Sequence, residues 1–138
     1  MQQNYIDAMC LVQNYGKPDI FLTMTCNPKW KEIDENLQYN ENVMDRPDIV
    51  VRVFHEKVKE LQNQLHKKSI FGETVAFVAV IEEQKRGLPH IHELIYLQDD
   101  YKILNSDQVD DIICAEIPNE NQYPLLHELV KKHMIHGP

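Results

Sequence analysis

Long apolar runs are missing from this chain. The longest, Val75 to Ile81, is seven residues, against the roughly 20 that cross a bilayer as a helix. Glycine is scarce as well, 4 residues in 138, with 7 prolines, which removes the collagenous and low-complexity classes. Only three cysteines occur, Cys10, Cys26 and Cys114. Their odd number, wide spacing and lack of a C-x-x-C pair fit reduced thiols better than a disulfide framework. The opening Met1-Gln2-Gln3-Asn4 has none of the features of a secretory signal. A soluble nuclear or cytoplasmic domain, with no membrane partner, is the expectation. Positive charge is also short: 14 Lys and Arg stand against 22 Asp and Glu, a formal net charge of −8. Such a balance does not announce a nucleic-acid binder, because phosphate affinity comes mainly from clustered cations. Contact with a polyanion would need a local basic patch or a bound metal ion.

What is present is ordinary globular material, 43% apolar and 26% charged. The chain shows no internal repeat, linker or composition shift, so a single domain over residues 1–138 is expected. Ile6, Met9, Cys10 and Gln13 fall near helical spacing between about Gln2 and Tyr15, with Gly16 as terminator. Ile20 to Cys26 is a β-prone run closed by Asn27-Pro28. A short helical piece follows between Lys29 and about Leu37. Asp45 is placed to cap a long helix opening at Pro47, with Ile49, Val50, Val53, Phe54, Val58, Leu61 and Leu65 as its apolar stripe. Thr74 to about Gln84 and His90 to Leu97 read as two strands joined by the turn Lys85-Arg86-Gly87-Leu88-Pro89, an antiparallel hairpin. Ser106 is expected to cap a further helix, and a last one runs from about Pro124 to Ile135. This order predicts an α+β fold, a central antiparallel sheet flanked by helices.

The chemistry concentrates at Ile81-Glu82-Glu83-Gln84-Lys85-Arg86-Gly87-Leu88-Pro89-His90-Ile91-His92. Side chains alternate along a strand, so His90 and His92 share one face and can share one divalent cation. The hairpin returns the preceding strand beside them with a carboxylate. In one register that is Glu82, with Gln84 on the same face; a slip of one residue presents Glu83 instead. Two nitrogens with one or two oxygens suit Mn²⁺, Mg²⁺ or Zn²⁺, with positions left for substrate. A His-x-His pair by itself is a weak signal, more often two exposed strand histidines than a metal site. The opposed carboxylate and the tight turn are what add weight.

Glu82-x-Gln84-Lys85-Arg86-Gly87-Leu88-Pro89-His90-x-His92 resembles the HUH signature, a pair of histidines about one hydrophobic residue, of rolling-circle replication initiators. More closely, it resembles the Rep endonuclease domain of Helitron transposons, the Helitron helicase-like domain. Further blocks carry the same resemblance: Met1 to Tyr5 with Asp7-Ala8-Met9; Gly16 to Asp19; Phe21-Leu22-Thr23 with Thr25 to Trp30; Arg46-Pro47-Asp48 with Val53-Phe54; Ile70-Phe71-Gly72; Ala115 to Pro118; and His133 to Pro138. The resemblance implies an HUH-endonuclease-like α+β fold and a metal-dependent single-stranded DNA nickase and strand transferase. In it a tyrosine attacks the scissile phosphate and keeps a 5′-phosphotyrosyl bond for rejoining. It implies His90, His92 and Glu82 as ligands of Mn²⁺ or Mg²⁺, with Glu83 second in line to Glu82, single-stranded DNA as partner, and a helicase domain in the full-length protein.

Two departures accompany it. The family's paired tyrosines lie well beyond the HUH strand, and the chain reaches Gly137-Pro138 short of them, so a truncated domain without its nucleophile is expected. Tyr96 reads as a strand packing residue and Tyr123 as part of a helix entry. Glu93 follows the histidine pair where an apolar residue is usual, and should face away from the metal. For the DNA itself, Lys85 and Arg86 in the turn and Asn27, Lys29 and Trp30 at the strand end form a candidate track, the cations on phosphates and Trp30 under a base. Against that stands Trp30 as a core residue with solvated lysines. His55 and His66 read as surface or satisfied histidines, and His133 with His136 as structural. Two other functions compete. A non-catalytic DNA-binding or protein-interaction module from a decayed transposon suits the acidic charge. A cupin-like or histidine-triad enzyme needs further histidines, and Leu94 sits where the triad needs one.

Overall fold

β-Branched and aromatic residues concentrate in three short stretches, and these form the sheet. The computed structural model describes residues 2–83 and 87–135. In order they form α1 (Gln2–Tyr15), β1 (Ile20–Thr25), α2 (Lys31–Asp34), α3 (Pro47–Gln62), β2 (Thr74–Glu83), β3 (Pro89–Leu97), α4 (Ser106–Ile112) and α5 (Pro124–His133). The fold is α+β, as expected. It divides into two compact units, residues 1–102 and 103–138. Among the described residues, no helix is long and apolar enough to cross a membrane.

In the first unit β3 is the central strand of three, in the order β1-β3-β2, and both pairings are antiparallel. Alternation then assigns the faces. Ile91, Ile95 and Leu97 are buried on one side of β3. Against Ile91 packs a core of Cys26, Ile33, Ile49, Val50, Phe54 and Val58. His90, His92, Leu94 and Tyr96 take the other side, where Tyr96 meets Tyr15 of α1 with ring centroids 5.9 Å apart.

The apolar stripe of α3 faces the core as read, with Ile49, Val50, Phe54 and Val58 buried and Leu65 buried in the π-helical turn (Asn63–Lys67) that extends the helix. Its cap differs from expectation. Arg46, not Asp45, precedes the helix, and it makes no side-chain cap. Asp45 is spent one turn earlier, where Asn42 and Asp45 form a reciprocal capping box around Val43–Asp45. The start of α3 is held instead by the Arg46 guanidinium, between Asp48 (2.9 Å) and Glu41 (3.0 Å). That guanidinium holds the Asp48 carboxyl at about 2, below its ordinary value. Gly72 is required after the π-helical turn: its φ is +113°, and a Cβ there would meet the Tyr101 ring at 2.5 Å.

In the second unit the cap of α4 is Asn105, whose Oδ1 accepts from the Gln108 amide at 2.9 Å; Ser106 is the first helical residue rather than the cap. His127 in the first turn of α5 has its Nδ1 2.7 Å from the carbonyl oxygen of Pro118, ahead of the helix. His136 lies outside the described residues.

The three thiols should behave differently. Cys26 is buried and desolvation pushes its thiol up to about 11, whereas Cys10 and Cys114 are exposed. At pH 8 a disulfide-exchange reagent should modify two thiols rapidly and the third only in denaturant. Rapid modification of all three in the native protein would contradict this core.

Candidate metal centre

The register of the hairpin decides which side chains meet. Glu82 is paired with His90 and Val80 with His92, while across the other edge Thr25 is paired with His90 and Thr23 with His92. Directly paired residues in an antiparallel ladder project to the same side. One row on the histidine face is therefore Thr25, His90, Glu82; the next is Thr23, His92, Val80. Glu83 is paired with Pro89 and falls on the opposite side. Of the two carboxylates left open by the sequence, Glu82 is the one that shares the histidine face.

The side chains confirm the closeness of this group. Glu82 Oε1 lies 2.9 Å from His92 Nε2, and the imidazoles of His90 and His92 have centroids 4.4 Å apart at 64°. Thr25 Oγ1 lies 2.6 Å from His90 Nδ1. His90 is 8% exposed, while the side chains of His92 and Glu82 are 32% and 57% exposed, so the row opens towards solvent at its β2 end. His92 Nδ1 is buried without a hydrogen-bond partner, an expensive state for a polar atom.

Among the described residues, no three His, Cys, Asp or Glu side chains are gathered as a ready-made cation site. Glu82 and His92 instead bond each other, and both would have to turn towards one ion. The donor set itself fits a divalent cation: two imidazoles and a carboxylate on one open face, one of them carrying an unsatisfied nitrogen.

The proposed DNA-contacting residues do not all join this face. Trp30 stacks on Phe54 (6.4 Å, 20°) and carries Lys57 Nζ 5.6 Å from its ring centroid. It packs against the core cluster that contains Ile91, hence on the side of the sheet opposite the histidines. Asn27 Oδ1 accepts from the Lys29 amide at 2.9 Å, shaping the turn after β1, and Lys29 is exposed. Gln84, Lys85 and Arg86 lie outside the described residues. Two residues of the histidine face were missed by sequence reasoning. Thr25 engages His90, and Phe21 stacks on His92 (5.6 Å, 10°) while remaining 64% exposed. Their alternate positions in β1 were visible. That β1 pairs with β3 was not.

Trp30 and Phe21 should therefore separate in a stability assay. Trp30→Ala should lower the unfolding free energy by about 3 kcal/mol, as for a large packed ring. Phe21→Ala should change it by less than about 0.5 kcal/mol, as at an exposed position. Urea unfolding followed by circular dichroism measures both, and a Trp30 variant as stable as its parent would contradict the packing described.

The family model described as "Helitron helicase-like domain at N-terminus" matches residues 1–95 of the 138. The matched span contains the sheet up to Ile95, with Glu82, His90 and His92, and excludes the second unit. No curated protein matches the chain.

Proposed function

Because this chain belongs to the Helitron helicase-like domain family, we propose that it is the cation- and strand-binding part of a single-stranded DNA nicking and strand-transfer machine of the HUH type. The observation that carries this reading is that His90 and His92 of β3 and Glu82 of β2, three donors from two adjacent strands, share one sheet face, with Thr25 of β1 beside His90. Thr25 engages His90 Nδ1, which leaves Nε2 as the nitrogen for a ligand and holds the ring in place. Mn²⁺ or Mg²⁺ bound by His90, His92 and Glu82 would supply charge stabilisation at a scissile phosphate. Phe21, its ring exposed beside His92, offers a stacking surface for the neighbouring base, and exposed Lys29 a phosphate contact. Lys85 and Arg86, which the sequence sets between β2 and β3, serve the same role in this reading.

The transesterification itself needs a tyrosine hydroxyl: its oxygen bonds to phosphorus, and the 3′-oxygen of the broken phosphodiester leaves as a hydroxyl. Tyr96 shares the histidine face but is 1% exposed against Tyr15. The attacking hydroxyl would come from a tyrosine supplied to the face from elsewhere, and the full protein would join this domain to a helicase. The Glu82–His92 hydrogen bond favours a second reading, a non-catalytic module that binds single-stranded DNA with the site closed and no cation.

Calorimetric titration with Mn²⁺ tests the proposal. About one ion should bind per chain, and binding should be lost in a folded His90→Ala/His92→Ala variant. Fluorescence anisotropy with a labelled single strand should show tighter binding with Mn²⁺ than with chelator, and Phe21→Ala should cost about 1–3 kcal/mol of it. Equal strand binding with and without the ion would support the non-catalytic module instead.

A further inference from the structure

The strand that presents the histidines also buries a carboxylate. Glu93, next to His92, is 0% exposed and lies on the core face of β3, between Leu22 of β1 and Ala79 of β2. Burial of a carboxylate is costly unless something meets it. Here His66 does, its Nε2 2.5 Å from Glu93 Oε1. The imidazole is stacked on Phe77 of β2, centroids 4.1 Å apart at 16°, and it hangs from the π-helical turn Asn63–Lys67, a geometry that tends to occur at functional positions. Glu93 Oε2 and His66 Nδ1 have no hydrogen-bond partner and are buried.

Apolar alternation favours the observed core face of β3 by three residues to two, with Glu93 its one exception. Its two sides read Ile91, Glu93, Ile95, Leu97 and His90, His92, Leu94, Tyr96. Hydrophobicity would sooner turn Glu93 out, and any rotation or one-residue slip that did so would carry His90 and His92 inward. A local choice that contradicts the hydrophobic pattern marks a position held for another reason.

We propose that Glu93 and His66 are positioning residues for the histidine pair: their buried contact ties the back of β3 to the end of α3, and so keeps His90 and His92 on the open face opposite Glu82. The proposal rests on the reading of that face as a cation site, but its first test needs no cation. In metal-free protein, nuclear Overhauser contacts across the His90–Glu82 pair and the imidazole ¹H–¹⁵N signals of His92 report register and face directly. His66→Leu leaves the Glu93 carboxylate buried without its partner, which favours turning it outward; the variant should lose those contacts and broaden or shift the His92 signals. Its Mn²⁺ affinity should fall about tenfold or more, the scale seen when support behind a ligand is removed. His66→Gln retains a donor for Glu93 and should keep both close to the parent. Should His66→Leu fail to fold, adding Glu93→Leu removes the unpaired carboxylate, and the double variant should fold with parental contacts. A folded His66→Leu with parental contacts and His92 signals overturns the proposal, as does His66→Gln behaving like His66→Leu or a double variant that does not recover the fold. Parent protein that binds no Mn²⁺ but shows the spectral losses in the variants would sink the cation site and leave the positioning pair standing.

Discussion

The antiparallel register of β3 between β1 and β2 is the constraint from which everything at the site follows. With a side-chain period of two, one pairing puts Glu82, His90 and Thr25 in a single row, and a shift by one residue scatters them over both faces. The register is held from several directions. Ile91 is locked into the core beneath α3. At the far end Asp19 Oδ2 accepts from the Leu97 amide at 2.8 Å, and Tyr96 packs on Tyr15. The histidines sit between these anchors. Their placement is thus a product of packing on the opposite face, and substitutions in α3 or the π-helical turn can reach the site without touching it.

The two faces of the sheet divide the labour. The core face carries the stability, with Phe54, Val58, Ile33 and Cys26 closing on Ile91 and Trp30 covering their edge. The other face packs Tyr96 against Tyr15 of α1 and opens towards solvent at His92 and Glu82, with Phe21 and Val80 exposed beside them. This division explains why Trp30 and Phe21 exchange the roles that composition suggests. A lone tryptophan beside a lysine looks like a base-stacking platform, but one side of its ring lies against Phe54 and Lys57 approaches the ring as well. An ordinary phenylalanine in a β-strand is the exposed aromatic.

Local patterns in the chain carried the helices, the hairpin and the histidine parity, because each rests on neighbours in sequence: the stripe of α3, Pro47 at its first turn, the tight turn before His90. The carboxylate stayed ambiguous between Glu82 and Glu83 because it depends on a register set by tertiary packing. The caps went astray for a related reason. Asp45 and Ser106 are good capping residues, but Asn42 and Asn105 lay close enough to compete, and backbone geometry chose among them. Thr25 and Phe21 were hidden by distance, since more than sixty residues separate them from His90 and His92. Glu93 was read as turned away from the face of His90 and His92, and it lies on the opposite side of β3; its burial against His66 depends on a π-helical turn that no periodicity announces.

Net charge gives the last link. A chain at −8 repels a polyanion at long range, and Glu82 adds negative charge on the very face where a strand would lie. On the proposed reading this is consistent, because a divalent cation among His90, His92 and Glu82 would invert the local sign only where it binds. Strand affinity would then be gated by the ion: weak over the rest of the acidic surface, and appreciable at the one row where phosphate can meet both the cation and the Phe21 ring. A basic groove would hold any single strand in any register. On the proposed reading, an acidic domain whose main strand contact depends on a cation would hold the phosphate at the reactive centre in preference to its neighbours, as a site-specific nick requires.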